Sequence, residues 1–198
     1  MAKSTQTVED AEDPGPMTVE EYFRWREGRE EPWEYIDGRP VPKFPSEENP
    51  VVAMASGTAN HHTIQLTCAS LIRARRPKGC RVATDATVEV QDGRQIPDVV
   101  LSCAPPDAEL VMRDPVLLVE VTSPSSRSVD FLHKPAEYSE LESVREIWVV
   151  EGHRRRVRTW TRTERGWEIV DTIGSGTFHS ELLGAAITLD EIYEDTTI

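Results

Sequence analysis

Apolar positions change their period several times along the chain, and each change marks an element. Thr18 stands three residues before Glu21, the spacing of a capping box, and Tyr22 and Trp25 then recur at helical spacing. Residues 18–28 therefore read as a short helix ending near Gly28. WEYIDGRPVPKF follows as two short extended pieces around an Asp37-Gly38 turn. From about Ala59 to Arg76, His61, Ile64, Cys68, Leu71 and Ile72 fall on one helical face, until Pro77 and Gly79 end the helix. The period then becomes two. RVATDATVEV alternates, Asp92-Gly93 turns the chain, and IPDVVLS reads as the second strand of a hairpin.

VLLVEVTS, residues 116–123, is nearly continuous in apolar character, which predicts a central strand buried on both faces. A helix is expected from about Ser128 to Leu141, although Pro135 must either kink it or stand in the first turn of a new helix. EIWVVE, VRTWTR and WEIVD read as a strand meander, and a short helix near Asp190–Asp195 closes the chain. This order predicts an α/β or α+β fold, with one mixed central β-sheet flanked by helices. Trp148, Trp160 and Trp167, all on predicted strands, are expected to pack in the core or on a sheet face.

With 198 residues and 38% apolar content, the chain can bury one core, so residues 17–198 are expected to form a single domain. Residues 1–16 hold too few apolar side chains to repay ordering and are expected to be a disordered tail. No apolar stretch suits a signal peptide or a membrane helix, which points to a cytoplasmic protein with no membrane partner. Cys68, Cys80 and Cys103 form no C-x-x-C pair, so neither a disulfide framework nor a zinc ribbon is indicated. The five histidines contain no H-E-x-x-H spacing, and any metal is expected on oxygen ligands.

The net charge of −13 weighs against a nucleic-acid partner. Outside the tail, 31 acids still face 21 bases. The bases are clustered, however. Arg73, Arg75, Arg76, Lys78 and Arg81 occur with no acid among them, and Arg154, Arg155, Arg156, Arg158 and Arg162 form a second group. Such runs are usually solvated faces, and the first group is the candidate for phosphate contact.

Two acids interrupt apolar strands. Asp98 lies in IPDVVL and Glu120 in LLVEVT, where a charge taken from water needs a cation or hydrogen-bond donors. On adjoining strands they can share one divalent ion, and oxygen ligation suits Mg²⁺ or Mn²⁺. The alternative is that one of them caps an exposed strand end or pairs with an arginine. Ser123 and Ser125 lack an evident His and Asp partner pattern, so no serine nucleophile is read.

Pro97-Asp98-Val99-Val100, Val119-Glu120-Val121, Ser123-Pro124-Ser125, Asp130, Lys134 and Tyr138 four residues apart, and Glu146-Ile147-Trp148-Val149-Val150 together resemble the Uma-type family of bacterial proteins classed as restriction endonucleases. MTVEEYF and WEYIDGRPV are similar to its opening, with Glu34 at its acidic position, and the resemblance covers about residues 17–195. The family belongs to the PD-(D/E)XK nuclease superfamily, which implies a restriction-endonuclease-like core and DNA as the substrate. The signature places a lysine two residues after the second acid, where this chain has Thr122. In relatives with that departure a lysine of the following helix takes its place, and Lys134 is at the matching position.

The resemblance implies that Asp98, Glu120 and the Val121 carbonyl hold Mg²⁺ or Mn²⁺ while Lys134 serves as the catalytic cation. Glu34, His62, Asp130 and Tyr138 are possible additions, and His61 and His62 together open a helix. A homodimer is a further possibility, since many superfamily nucleases dimerise. Two rival readings are a catalytically silent binding or assembly domain on the same fold and a metal-dependent hydrolase of small phosphate esters.

Overall fold

A computed structural model describes residues 14–26, 29, 33–36, 38–42, 59–91, 93–105, 111–122 and 133–198. Most of the expected N-terminal tail, Asp37, Asp92, Ser123, Ser125 and Asp130 lie outside the described residues. Helix α1 (Val19–Arg26) starts at the expected capping box: Glu21 N–H donates to Thr18 Oγ1 (3.2 Å) and Thr18 N–H to Glu21 Oε2 (2.8 Å). Strands β1 (Trp33–Ile36) and β2 (Arg39–Pro42) form an antiparallel pair. Gly38 adopts the left-handed φ of 77° that a tight turn requires there. Helix α2 (Ala59–Arg75) matches the expected second helix closely.

Among the described residues, six strands form the central sheet: β3 (Arg81–Thr84), β6 (Val99–Ser102), β7 (Pro115–Thr122), β8 (Glu146–Glu151), β9 (Arg156–Thr163) and β10 (Gly166–Ile173). Their order is β10-β9-β8-β7-β6-β3, with β7 and β8 parallel and the other neighbours antiparallel. The sheet is therefore mixed, as the sequence pattern predicts. β7 and β8 are central, and every residue of PVLLVEVT and EIWVVE except Val116 is buried. Short strands β4 (Val88–Val90) and β5 (Gly93–Gln95) pair with each other, as do β11 (Thr177–Ser180) and β12 (Ala185–Thr188). Helices α3 (Lys134–Glu140) and α4 (Leu189–Ile192) complete the described elements.

Period two along β7 divides its side chains between two cores. Leu117, Val119 and Val121 face one core with Ile64, Cys68 and Ile72 of α2, whereas Leu118 faces the other with Val100, Ile147, Val149 and Tyr138 of α3. Trp148 packs edge-on against Phe178 at 5.0 Å in the first core. Trp160 and Trp167 pack against the second, so all three tryptophans are packing residues as expected.

Two details differ from the sequence reading. The expected hairpin of residues 81–102 splits in two. Asp85 takes a left-handed φ of 51° that turns the chain out of β3, and residues 88–95 leave the sheet as their own ribbon. Cys80 and Cys103 are joined by a disulfide, where no bridge was expected. The register Arg81↔Ser102 brings the two cysteines opposite each other one step further along, a proximity invisible to spacing along the chain. The described part of the third helix begins at Lys134 with Pro135 in its first turn, the second of the two placements expected for it, where the missing N–H costs nothing.

Candidate active site

The apolar run of β7 fixes where Glu120 points. Two residues beyond Leu118, it shares the face covered by α3, and it is only 2% exposed. Lys134 and Tyr138 stand four apart on α3 and so form one stripe over that face. Tyr138 OH donates to Glu120 Oε1 (2.6 Å), and Lys134 Nζ donates to Glu120 Oε2 (3.3 Å). The same ammonium reaches Glu34 Oε1 on β1 at 3.0 Å, and that oxygen also accepts the Ile96 N–H (3.1 Å). The Lys134 and Glu34 side chains are each 6% exposed, so this is a desolvated Glu–Lys–Glu bridge rather than a surface pair.

Asp98 comes to the same place by register. Val99 pairs with Val119 across the antiparallel β6–β7 ladder, which brings Asp98 beside Glu120. Its Oδ2 accepts the Val121 N–H (2.6 Å). The N–H and C=O of one strand residue point to the same strand edge, so the Val121 carbonyl is turned towards Asp98 as well. From the other side, α2 presents two residues four apart. His61 Nε2 lies 3.5 Å from Asp98 Oδ1, and Gln65 Nε2 donates to the Asp98 carbonyl (3.0 Å) and to Asp85 Oδ2 (2.9 Å). Burial pushes the Cys68 thiol, further along this helix, up to about 12, with the Asp98 charge adding to the effect.

Of the sequence candidates, Asp98, Glu120, Lys134, Tyr138 and Glu34 thus converge. Thr122 is fully buried two residues beyond Glu120 on the same strand face, and its Oγ1 has no hydrogen-bond partner among the described residues. His62 is exposed and meets His61 only ring to ring at 5.4 Å; His61 is the one against Asp98. The Arg73–Lys78 cluster lies at the other end of α2, about 21 Å along the axis from His61 to Arg75 at 1.5 Å per residue. There Arg75 pairs with Glu191 at 2.7 Å, and Arg76 Nε donates to the Cys80 carbonyl at 2.8 Å. Sequence reasoning missed Gln65 and Asp85. A glutamine on the face of Ile64, Cys68 and Ile72 was the available signal, whereas the left-handed Asp85 gave none.

Among the described residues, no three His, Cys, Asp or Glu side chains stand close enough together to hold a metal as they are. The donor chemistry still fits Mg²⁺, which keeps several waters and commonly takes one or two carboxylates. Asp98 and Glu120 supply these, and the Val121 carbonyl a further hard oxygen.

A mixed sheet with two acids side by side on adjoining strands and a lysine brought against one of them is a nuclease-like arrangement. The chain belongs to the Uma2 family, whose description is "Putative restriction endonuclease" and whose model matches residues 19–190. A solved structure from Anabaena variabilis, titled a "putative nuclease belonging to DUF820", shares the fold with a TM-score of 0.70 at 16% identity, covering 90% of this chain and 98% of its own. Among curated proteins, none matches the chain.

Proposed function

We propose that the chain hydrolyses phosphodiester bonds of DNA using Mg²⁺ or Mn²⁺ held by Asp98, Glu120 and the Val121 carbonyl. The observation that carries this reading is the Lys134 ammonium, brought to Glu120 from a helix twelve residues beyond Thr122 and held there at 3.3 Å. When bound, the ion supplies Lewis-acid polarisation of the phosphate and a more acidic water. Lys134 keeps a preorganised positive charge where negative charge develops on the phosphate, in a site that excludes most water. Tyr138 fixes the plane of the Glu120 carboxylate through Oε1, and Glu34 holds the ammonium from the opposite side. Asp98 is oriented by the Val121 N–H, which leaves its Oδ1 facing α2.

DNA as substrate follows from the family description. The test is cleavage of a supercoiled plasmid in Mg²⁺ and in Mn²⁺ by the wild type and by Glu120→Ala, alongside a small chromogenic phosphodiester. Plasmid cleavage lost in Glu120→Ala is expected. Turnover of the chromogenic ester with an intact plasmid would move the substrate to small phosphate esters, and no hydrolysis of either would refute an active nuclease.

A further inference from the structure

We infer that Gln65 is a positioning residue for Asp98: its amide grips the Asp98 backbone carbonyl, which keeps the carboxylate aimed, and the left-handed turn at Asp85 holds the amide in that grip. This rests on the reading of Asp98 given above and deepens it. Asp98 needs such a hold because it lies one residue before β6, outside the ladder that sets Val99 against Val119. Backbone groups off a ladder need other partners. The link Ile96-Pro97-Asp98 is pinned at both ends. Ile96 N–H donates to Glu34 Oε1 at 3.1 Å, and the Asp98 carbonyl accepts from Gln65 Nε2 at 3.0 Å and from the Asp85 N–H at 3.3 Å. Fixing that carbonyl also fixes the direction in which Cβ leaves the chain, and the carboxylate then meets the Val121 N–H at 2.6 Å.

The chemistry of the hold suits an amide. Gln65 Nε2 carries two hydrogens, and it donates both to the Asp98 carbonyl and to Asp85 Oδ2, the latter at 2.9 Å. A glutamate of the same shape has neither. Gln65 is 8% exposed on a helix face otherwise made of Ile64, Cys68 and Ile72, so packing alone would favour an apolar side chain there. Burying an amide at that place needs partners, and Asp98 and Asp85 are those partners.

Asp85 completes the clasp at a cost. Its φ of 51° is a conformation that few residues with a Cβ adopt, although aspartate tolerates it better than most. At that angle the chain leaves β3 and the Asp85 carboxylate meets Gln65. Strain of this kind persists where surrounding contacts impose it, and here those contacts lead to Asp98. The competing arrangement is that Gln65 and Asp85 satisfy each other for stability alone.

The test compares Gln65→Met, Gln65→Glu, Asp85→Gly and Asp85→Asn with the wild type, each checked for folding by circular dichroism. Methionine keeps the length of the side chain without a donor. The Val121 N–H, held by the Asp98 carboxylate, is a reporter that needs neither metal nor substrate. Its proton resonance in EDTA is expected to move upfield in Gln65→Met, Gln65→Glu and Asp85→Gly, as its charge-assisted bond loosens. It should stay in place in Asp85→Asn, where an amide oxygen still accepts from Gln65. Plasmid cleavage per folded molecule should fall roughly 10- to 100-fold in the first three variants, through kcat with KM unchanged, and be mostly retained in Asp85→Asn. Asp85→Gly separates the two roles, because glycine takes that φ without strain and the melting temperature should hold while the rate falls. An unmoved Val121 resonance and an unchanged kcat in Gln65→Met and Asp85→Gly would overturn the inference and leave Asp98 in the site. Cleavage that survives Asp98→Ala would overturn the reading beneath it, and the inference with it.

Discussion

Lys134 stands between two glutamates from distant parts of the chain, and removing it leaves both carboxylates buried with one cation fewer. Breaking such a pair costs about 3–5 kcal/mol, so Lys134→Ala is expected to be measurably less stable in EDTA as well as slower. On the folded fraction its plasmid-cleavage rate should fall about 10²-fold, the usual effect of losing a preorganised charge. Adding Thr122→Lys should restore part of that rate, because Thr122 shares the strand face of Glu120. Rescue is expected to be partial, since Glu151 lies beside position 122 in the parallel register and competes for the new ammonium. Full activity in Lys134→Ala would remove the lysine from the mechanism. At this scale much of the site was legible, because a carboxylate in VLLVEVT cannot be an ordinary strand residue. Burial alone did not discriminate, however. Glu146 is equally buried, yet it accepts from Trp148 Nε1 (3.1 Å), Ser180 Oγ (2.7 Å) and Leu182 N–H (2.9 Å), a shell of neutral donors that makes it structural. The partners separate the two glutamates, and partners are a property of three dimensions.

The elements that read well from sequence are those whose period persists. α2, β7, β8 and the β9–β10 hairpin each carry one unbroken pattern, and each lies close to where the pattern places it. The hairpin of residues 81–102 failed because one backbone angle at Asp85 redirects the chain, and an aspartate in a strand-like run does not announce a left-handed φ. The two basic clusters also separate at this scale. Arg75 and Arg76 tie the C-terminal end of α2 to Glu191 and to the Cys80 carbonyl. Replacing both with Ala should therefore lower the melting temperature and leave the salt dependence of DNA binding unchanged; a slope flatter by about 0.9 per residue would instead make them phosphate contacts. In the second cluster, Arg156 and Arg158 both fork onto Asp171, with contacts from 2.8 to 3.2 Å. The Arg158 and Arg156 guanidiniums hold the Asp171 carboxyl well below its ordinary value of 3.8. Its contribution to stability is complete above that value and is lost as pH falls through the depressed one. Solvent screening limits it to about 1 kcal/mol or less. Asp171→Asn should thus be slightly less stable at pH 7, and its melting temperature should decline less steeply below pH 4 than that of the wild type.

For the whole molecule, the net charge of −13 and the buried bridge have a common consequence. An acidic chain that sets Glu34 and Glu120 against one lysine and Asp98 beside Glu120 is expected to gain from a further cation. A ligand that binds only the native state adds about 2.7 kcal/mol at one hundred times its dissociation constant. For a chain of this size that is a rise of several degrees in melting temperature. The central claim is that the divalent ion at Asp98 and Glu120 is what makes this fold hydrolyse DNA. One titration tests it most directly: plasmid nicking and melting temperature followed together against Mn²⁺ concentration, for the wild type and for Asp98→Ala. Both curves should rise over the same concentration range in the wild type, and both should stay flat in Asp98→Ala. Nicking that persists in EDTA or survives Asp98→Ala, or a wild-type protein that neither cuts nor gains stability at saturating Mn²⁺, would contradict it.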